Sequence, residues 1–515
     1  MGKDLVISVD CSTSASKAVV WDELGRIVAE GRATFPLLNP VPTWWEQRAE
    51  DWWEATACAL RAATAGIDAS RLAALCMTHQ RETFVPVDEN AVPLRNGILW
   101  LDERAWAELD DIATLYGAER FHQVTGKPLS TTPSSPKILW LKKHEPAVFQ
   151  RTYKYLDVHA YLVYQLTGEY KTSWACADPM GLFDMVRQHW AEDLMSALGL
   201  RVEQFPETYP PGAIIGTVTG EAAQLCGLPA GLPVVAALGD GQSAGLGANI
   251  TSPGQVYLNL GTAVVSGAFS EQYLADRAFR TMGGGLPGTY LLETLIRGGT
   301  FTVSWFVEKF NTFNPKEFNL DVSVEEVLEA AARKTPPGAQ GLLLVPYWNN
   351  VMTPYWDSMA SGTIVGWRGW HGLAHMYRAI LEGIGFEQRL ITSGVEKVID
   401  FPLERFIAMG GGSKSPLWCQ IVADITGKPV TRSASPEATC LGAAILAATA
   451  AGFYNDAREA ANAMVRLGET YYPDEERGKF YTRLFEEVYR HIFPALQPLI
   501  DRLAELTYGQ EQKKQ

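Results

Sequence analysis

The sequence predicts an α/β protein built from two copies of one unit, and three observations carry that expectation. Strand-like and helix-like segments alternate through most of the chain. A strand–turn–strand opening, Leu5-Val-Ile-Ser-Val-Asp10 followed by Cys11-Ser-Thr-Ser-Ala-Ser-Lys17 and Ala18-Val-Val-Trp21, recurs in pattern at Gly254-Gln-Val-Tyr-Leu-Asn-Leu-Gly-Thr262 and Ala263-Val-Val-Ser-Gly267. An apolar run, Pro233-Val-Val-Ala-Ala-Leu238, ends in Gly239-Asp-Gly-Gln242 and so sets a carboxylate at the carboxyl end of a core strand, where open α/β sheets put their chemistry. A chain of 515 residues exceeds what one core holds. The repeat divides it into residues 1–249 and 250–515.

The elements follow in order. After the first hairpin, Asp22-Glu-Leu-Gly25 turns the chain into Arg26-Ile-Val-Ala-Glu30, which makes a meander. Helical patterns run over residues 51–65, 135–143 and 159–166, and strands over 72–77 and 233–238. In the second unit Ile407-Ala-Met ends in Gly410-Gly-Gly-Ser-Lys-Ser415. Ser415 is placed to cap a helix with Pro416 at its first position. Beyond about residue 455 the chain reads as helical and charge-mixed, closing in a frayed tail, Gln510-Glu-Gln-Lys-Lys-Gln515.

Composition narrows the function. Hydrophobic residues make up 47% and charged residues 20%, as in ordinary globular proteins, and the net charge is −14. No Lys/Arg run stands out, which argues against nucleic acid as a partner. No apolar run nears the roughly 20 residues a membrane helix needs. The N-terminus lacks the pattern of a signal peptide. The seven cysteines are scattered with no Cys-x-x-Cys pair, the pattern of reduced core thiols in the cytoplasm.

Four segments carry candidate chemistry. Asp240 lies between glycines that let backbone approach a ligand, though on these residues alone a turn-forming Asp fits as well. In the first hairpin, backbone N–H groups around Ser12, Thr13 and Ser14 could cradle a phosphate, with Lys17 adding a point charge. Asp10 would then need a Mg²⁺ between itself and the anion, and an ordinary capped β-turn fits the same residues. Gly411, Gly412, Ser413 and Lys414 present bare backbone before a helix N-terminus. They are not a P-loop, and the formal Gly-x-Gly-x-x-Gly match at Gly283–Gly288 reads as a loop because of Pro287. Finally, His79, Gln80, Arg81 and Glu82 line up donors and acceptors suited to a polyol, or else form a solvated charged loop; Trp100 could wall a sugar. His371 and His375 have no third ligand and read as structural.

Taken together, these motifs resemble the FGGY carbohydrate kinases, relatives of actin, hexokinase and the heat-shock ATPases. Asp10-Cys-Ser-Thr-Ser14 is similar to the family's first phosphate hairpin, with Ser12 at the usual glycine. Leu260-Gly-Thr262 resembles the second hairpin, and Gly410–Ser415 the adenosine motif. Ser134-Ser-Pro-Lys-Ile-Leu-Trp-Leu-Lys-Lys-His144, and Gly362-Thr-Ile-Val-Gly366 with His375-Met-Tyr-Arg-Ala-Ile-Leu-Glu382, are similar to its two signatures.

The resemblance implies two RNase H-like domains around a cleft, with sugar on the N-terminal side and ATP on the C-terminal side. It implies Asp240 as catalytic base and, with Asp10, as Mg²⁺ ligand. His79, Gln80, Arg81, Glu82, Trp100 and Gln242 are the implied substrate residues. Ser12, Thr13, Ser14, Lys17, Gly261, Thr262, Gly411, Gly412, Ser413 and Lys414 are the implied nucleotide residues. A homodimer is compatible with it. Trp44-Trp-Glu-Gln47, Asp51-Trp-Trp53 and Leu344-Val-Pro-Tyr347 look like the branch acting on xylulose, so the implied acceptor is a pentulose. Gln80-Arg-Glu-Thr83 and Thr353-Pro-Tyr-Trp-Asp357 are similar to the glycerol branch, which makes glycerol or another polyol the alternative. A non-catalytic actin-like ATPase would need neither Arg81 nor a base at Asp240.

Overall fold

The computed structural model describes residues 2–310, 321–348, 350–357 and 359–508. The tail expected at Gln510–Gln515 lies outside them. Two mixed sheets that share a six-strand topology organise the chain, the second carrying one further edge strand.

The first sheet contains Leu5–Cys11 (β1), Ala15–Asp22 (β2), Ile27–Thr34 (β3), Leu72–His79 (β4), Ile214–Thr217 (β5) and Pro233–Val235 (β6), in the order β5-β6-β4-β1-β2-β3. The second contains Gln255–Leu260 (β7), Val264–Ser270 (β8), Arg280–Gly283 (β9), Tyr290–Ile296 (β10), Arg405–Met409 (β11), Val430–Ser433 (β12) and Leu467–Tyr471 (β13), in the order β9-β10-β8-β7-β11-β12-β13. β1, β2 and β3 form an antiparallel meander, and β1, β4 and β6 run parallel. β7, β8 and β10 repeat that meander, and β7, β11 and β12 repeat that parallel run. Each sheet ends in an antiparallel edge strand, β5 or β13. The pattern likeness of the two hairpins is therefore a likeness of whole sheets.

Apolar content explains the central strands. β1, β4 and β7 are buried almost throughout, as expected for strands covered on both faces. The helices expected from periodicity are present: Ala49–Thr64 (α1), Ser134–His144 (α2) and Val158–Thr167 (α3). Pro416–Thr426 (α5) begins as predicted, with the Ser415 Oγ accepting the Trp418 N–H at 3.1 Å and Pro416 in the first turn.

Two local expectations are corrected. The run after residue 455 is not all helix, because β13 pairs with β12 there. Leu467-Gly-Glu-Thr-Tyr471 is mostly exposed and lacks apolar alternation, so only its ladder reveals it. Asp240 does not sit in a turn either. It opens the helix Asp240–Gly247 (α4), with Gly239 as N-cap, and an acidic first turn suits the helix dipole.

α4 connects the units by packing against Ala438–Ala450 (α6). A Cβ on Gly442 would lie 1.9 Å from the Ser243 carbonyl oxygen, and one on Gly247 would lie 1.9 Å from that of Ala438. The Ser243 Oγ donates to the Thr439 carbonyl at 2.8 Å. The helices thus touch backbone to backbone, and only glycine fits. Gly442→Val is expected to cost about 3 kcal/mol by overpacking and to lower the midpoint of a thermal melt by several degrees. A calorimetric scan with an unmoved midpoint would contradict the packing argument.

Among the described residues, no helix is long and apolar enough to cross a membrane. All seven cysteines are free; six are buried as expected, whereas Cys58 is exposed.

Candidate active site

Asp240 is 40% exposed at the side chain and accepts the Arg81 Nε–H at 2.7 Å and the Gly241 N–H at 2.7 Å. β4 ends at His79, so Arg81 emerges beside the segment leading to Asp240; His79 and Gly239 form a parallel bridge. The flanking glycines, read from sequence as room for a ligand, make room for protein instead. A Cβ on Gly239 would lie 2.4 Å from the Arg81 stem, and one on Gly241 would lie 2.6 Å from Glu293 Oε2.

Behind Arg81 lies a chain of alternating charge. Arg81 Nη1 donates to Glu293 Oε2 at 2.9 Å, Arg280 Nε donates to Glu293 Oε1 at 2.7 Å, and Arg280 Nη1 donates to Glu82 Oε1 at 2.6 Å. The Tyr257 hydroxyl also donates to Glu293, at 2.9 Å. Burial alone would raise the Glu293 pKa, but the two guanidiniums outweigh it and hold the carboxyl down at about 2. Arg81 is pushed the opposite way: burial works against its charge, yet Glu293 and Asp240 raise its pKa well above the usual value.

The run expected to meet a polyol does not form the solvated loop that was the other reading; His79, Gln80, Arg81 and Glu82 are all buried. The His79 ring meets the Gln80 carbonyl at 2.7 Å and faces Asp157 at 3.8 Å, so it stands behind the site. Gln80 Nε2 donates to Gln47 Oε1 at 2.8 Å, and Gln47 Nε2 donates to the Thr13 carbonyl at 2.6 Å. Gln242 is fully buried and donates to the Ala175 carbonyl at 2.8 Å. Glu82 is taken up by Arg280. Trp100 is half-buried, and its Nε1–H reaches the Thr13 hydroxyl at 3.1 Å. Lys137 of α2 anchors that corner by donating to the Leu99 carbonyl at 2.9 Å and the Thr132 carbonyl at 2.7 Å.

The two hairpin loops carry Ser12-Thr-Ser14 and Gly261-Thr-Ala263 between their paired strands. Ser12 closes the first loop through its N–H and hydroxyl, both on the Ala15 carbonyl, at 2.9 and 3.0 Å. Ser14 and Thr262 are exposed. Lys17, expected as a phosphate cation, is held between Glu437 at 2.7 Å and Glu30 at 3.0 Å, because the start of α6 brings Glu437 against the hairpin. The Gly410–Ser415 segment abuts the second hairpin: a Cβ on Gly410 (φ +81°) would lie 2.4 Å from Asn259 Oδ1. A Cβ on Gly411 would meet nothing, Ser413 is buried, and Lys414 is exposed.

Asp10 is strained electrostatically. Its Oδ1 is buried with no hydrogen-bond partner among the described residues. Burial first, then the charges of Asp240 and Glu437, raise its pKa to about 8, with Lys17 opposing. A divalent cation fits an orphaned carboxylate beside a second one. Among the described residues no cluster of three or more His, Cys, Asp or Glu could hold a metal alone, so phosphate oxygens and water would complete its shell, as suits Mg²⁺.

Residues 5–247 match the N-terminal domain of the FGGY family of carbohydrate kinases, and residues 256–451 match its C-terminal domain. The chain belongs to that family. A xylulose kinase of Bacillus subtilis is 28% identical over 497 residues, 95% of this chain and 96% of that protein. A glycerol kinase of Symbiobacterium thermophilum is 30% identical over 501 residues, 93% of this chain and 97% of that protein. The crystal structure of a xylulose kinase from Rhodospirillum rubrum superposes with a TM-score of 0.88 at 28% identity, covering 96% of this chain and 99% of that one. The kinase therefore has the two RNase H-like domains of the actin, hexokinase and heat-shock ATPase fold, and it is an ATP-dependent carbohydrate kinase.

The residues of this network that sequence reasoning missed are Tyr257, Arg280, Glu293 and Glu437, while Gln47 was read only as part of a branch motif. One signal was available: Glu293 is the lone charged residue in the mostly apolar strand Tyr290-Leu-Leu-Glu-Thr-Leu-Ile296.

Proposed function

We propose that the kinase phosphorylates a pentulose of the xylulose type, with Asp240 as the base. The observation that carries this reading is the exposed carboxylate of Asp240, fixed by Arg81 at the head of α4. Full-length relatives named xylulose kinase support the acceptor class. A 30% identical glycerol kinase, and the Gln80-Arg-Glu-Thr83 run, favour glycerol or another polyol as the second reading.

The acceptor lies on residues 1–249, against Asp240, Arg81 and the Trp100 face. The nucleotide lies on residues 250–515, its adenosine at Gly411–Lys414 and its phosphates between Ser12–Ser14 and Gly261–Thr262. The acceptor hydroxyl gives its proton to Asp240 as its oxygen bonds to the γ-phosphorus and the bond to ADP breaks. Asp10 and Asp240 would hold Mg²⁺, which would supply charge neutralisation of the phosphates. His79, Gln80 and Gln242 act from behind, by fixing the segments that carry Thr13, Arg81 and Asp240. Lys17 ties the first hairpin to Glu437 instead of standing free for phosphate. Free cysteines fit a reducing compartment, the cytoplasm.

An ADP-release screen across pentuloses, hexuloses, glycerol and alditols tests the acceptor. The highest kcat/KM is expected with D-xylulose. A preference for glycerol by tenfold or more would install the second reading, and no turnover with any of these acceptors would overturn both.

A further inference from the structure

We infer that Glu293, on strand β10 of the second unit, is a positioning residue for acceptor recognition: it holds the Arg81 guanidinium at the angle that meets Asp240. This rests on the reading of Arg81 and Asp240 as acceptor-side groups. The chain Glu82–Arg280–Glu293–Arg81–Asp240 alternates in sign along its length, and its members come from both units. Its first four side chains are at most 9% exposed, whereas Asp240 is 40% exposed. The chain therefore has one open end, and that end is the base.

Four points argue for positioning over mere adhesion between the units. Buried ion pairs add little stability against a well-packed apolar core, so adhesion alone gives no reason for charge here. Arg81 is a rigid fork, so holding its Nη1 fixes where its Nε–H points, which is at Asp240; Glu293 at 2.9 Å is the near acceptor of Nη1, with Gln242 at 3.5 Å. Glu293 is itself held from two further sides by Arg280 and Tyr257. Gly241, the residue after the base, is also shaped around it, since any Cβ there would lie 2.6 Å from Glu293 Oε2. The second unit thereby contributes to acceptor recognition through a residue that touches no acceptor.

The test is initial-rate kinetics on Glu293→Gln, nearly isosteric with the original, using D-xylulose, glycerol and ATP as varied substrates. The acceptor KM is expected to rise about tenfold while the KM for ATP stays within twofold. In an Arg81→Gln background the same change should add less than twofold, because coupled residues are not additive. Equal shifts in both KM values, unchanged kinetics, or full additivity with Arg81→Gln would overturn the inference. If Arg81→Gln alone moved the two KM values equally, the acceptor-side reading would fall first, and this inference with it. Should Glu293→Gln fail to fold, Tyr257→Phe removes one hydrogen bond from the same carboxylate. It is expected to raise the acceptor KM about threefold, and an unchanged value would overturn the inference.

Discussion

Asp240→Asn is expected to lower kcat about a thousandfold while leaving the KM for ATP within twofold and the fold intact. A positioned base contributes roughly 10²–10⁴ in rate, and a thousandfold loss is about 4 kcal/mol of barrier. The loss should fall on kcat because the base acts as the acceptor oxygen becomes bonded, not when substrates bind. Asn keeps the shape and still accepts a hydrogen bond from Arg81, and Arg81 keeps Glu293 as counter-charge. The helix start at Gly239 therefore survives the change. Steady-state turnover, with ATP binding by calorimetry, separates the two quantities. Turnover within tenfold of the parent would mean that another group takes the proton.

What was legible in the sequence was local. β1 and β2 announced themselves by apolar runs broken at Ser12–Ser14, and α5 by Ser415 and Pro416 at its start. The repeat was legible because each unit opens with the same local device, and the matching strand orders then follow. The run His79–Glu82 was legible as a row of polar types but not as an arrangement. Arg81 finds Asp240 across 159 positions and Glu293 across 212, and no periodicity encodes such partners. The glycines at 239 and 241 were correctly singled out for the wrong occupant: space beside a backbone reads the same whether a ligand or a guanidinium fills it. The partners of Lys17 were hidden for a related reason, since Glu437 lies 420 positions away in the other unit.

Asp10→Asn should separate the ion's role from the fold's. With its pKa raised from 3.8 to about 8 in the folded chain, Asp10 binds a proton more tightly folded than unfolded. Between those values the folded state holds more protons, so this group's contribution to stability falls as pH climbs from about 4 to about 8. Asn has no such slope. Without Mg²⁺ the variant is expected to melt close to the parent at pH 5 and above it at pH 8. Mg²⁺ with a non-hydrolysable ATP analogue should reverse the order at pH 8, because a cation held by Asp10 would stabilise the chain that keeps that carboxylate more than the variant that lacks it. Turnover at saturating ATP should drop at least a hundredfold, since the buried Oδ1 of Asp10 has no other partner among the described residues through which to act. Thermal melts at the two pH values, with and without the ion, provide the readout. A variant that gains the same Mg²⁺ shift as the parent and turns over within threefold of it would remove Asp10 from the ion's site and leave its orphaned oxygen without a chemical role.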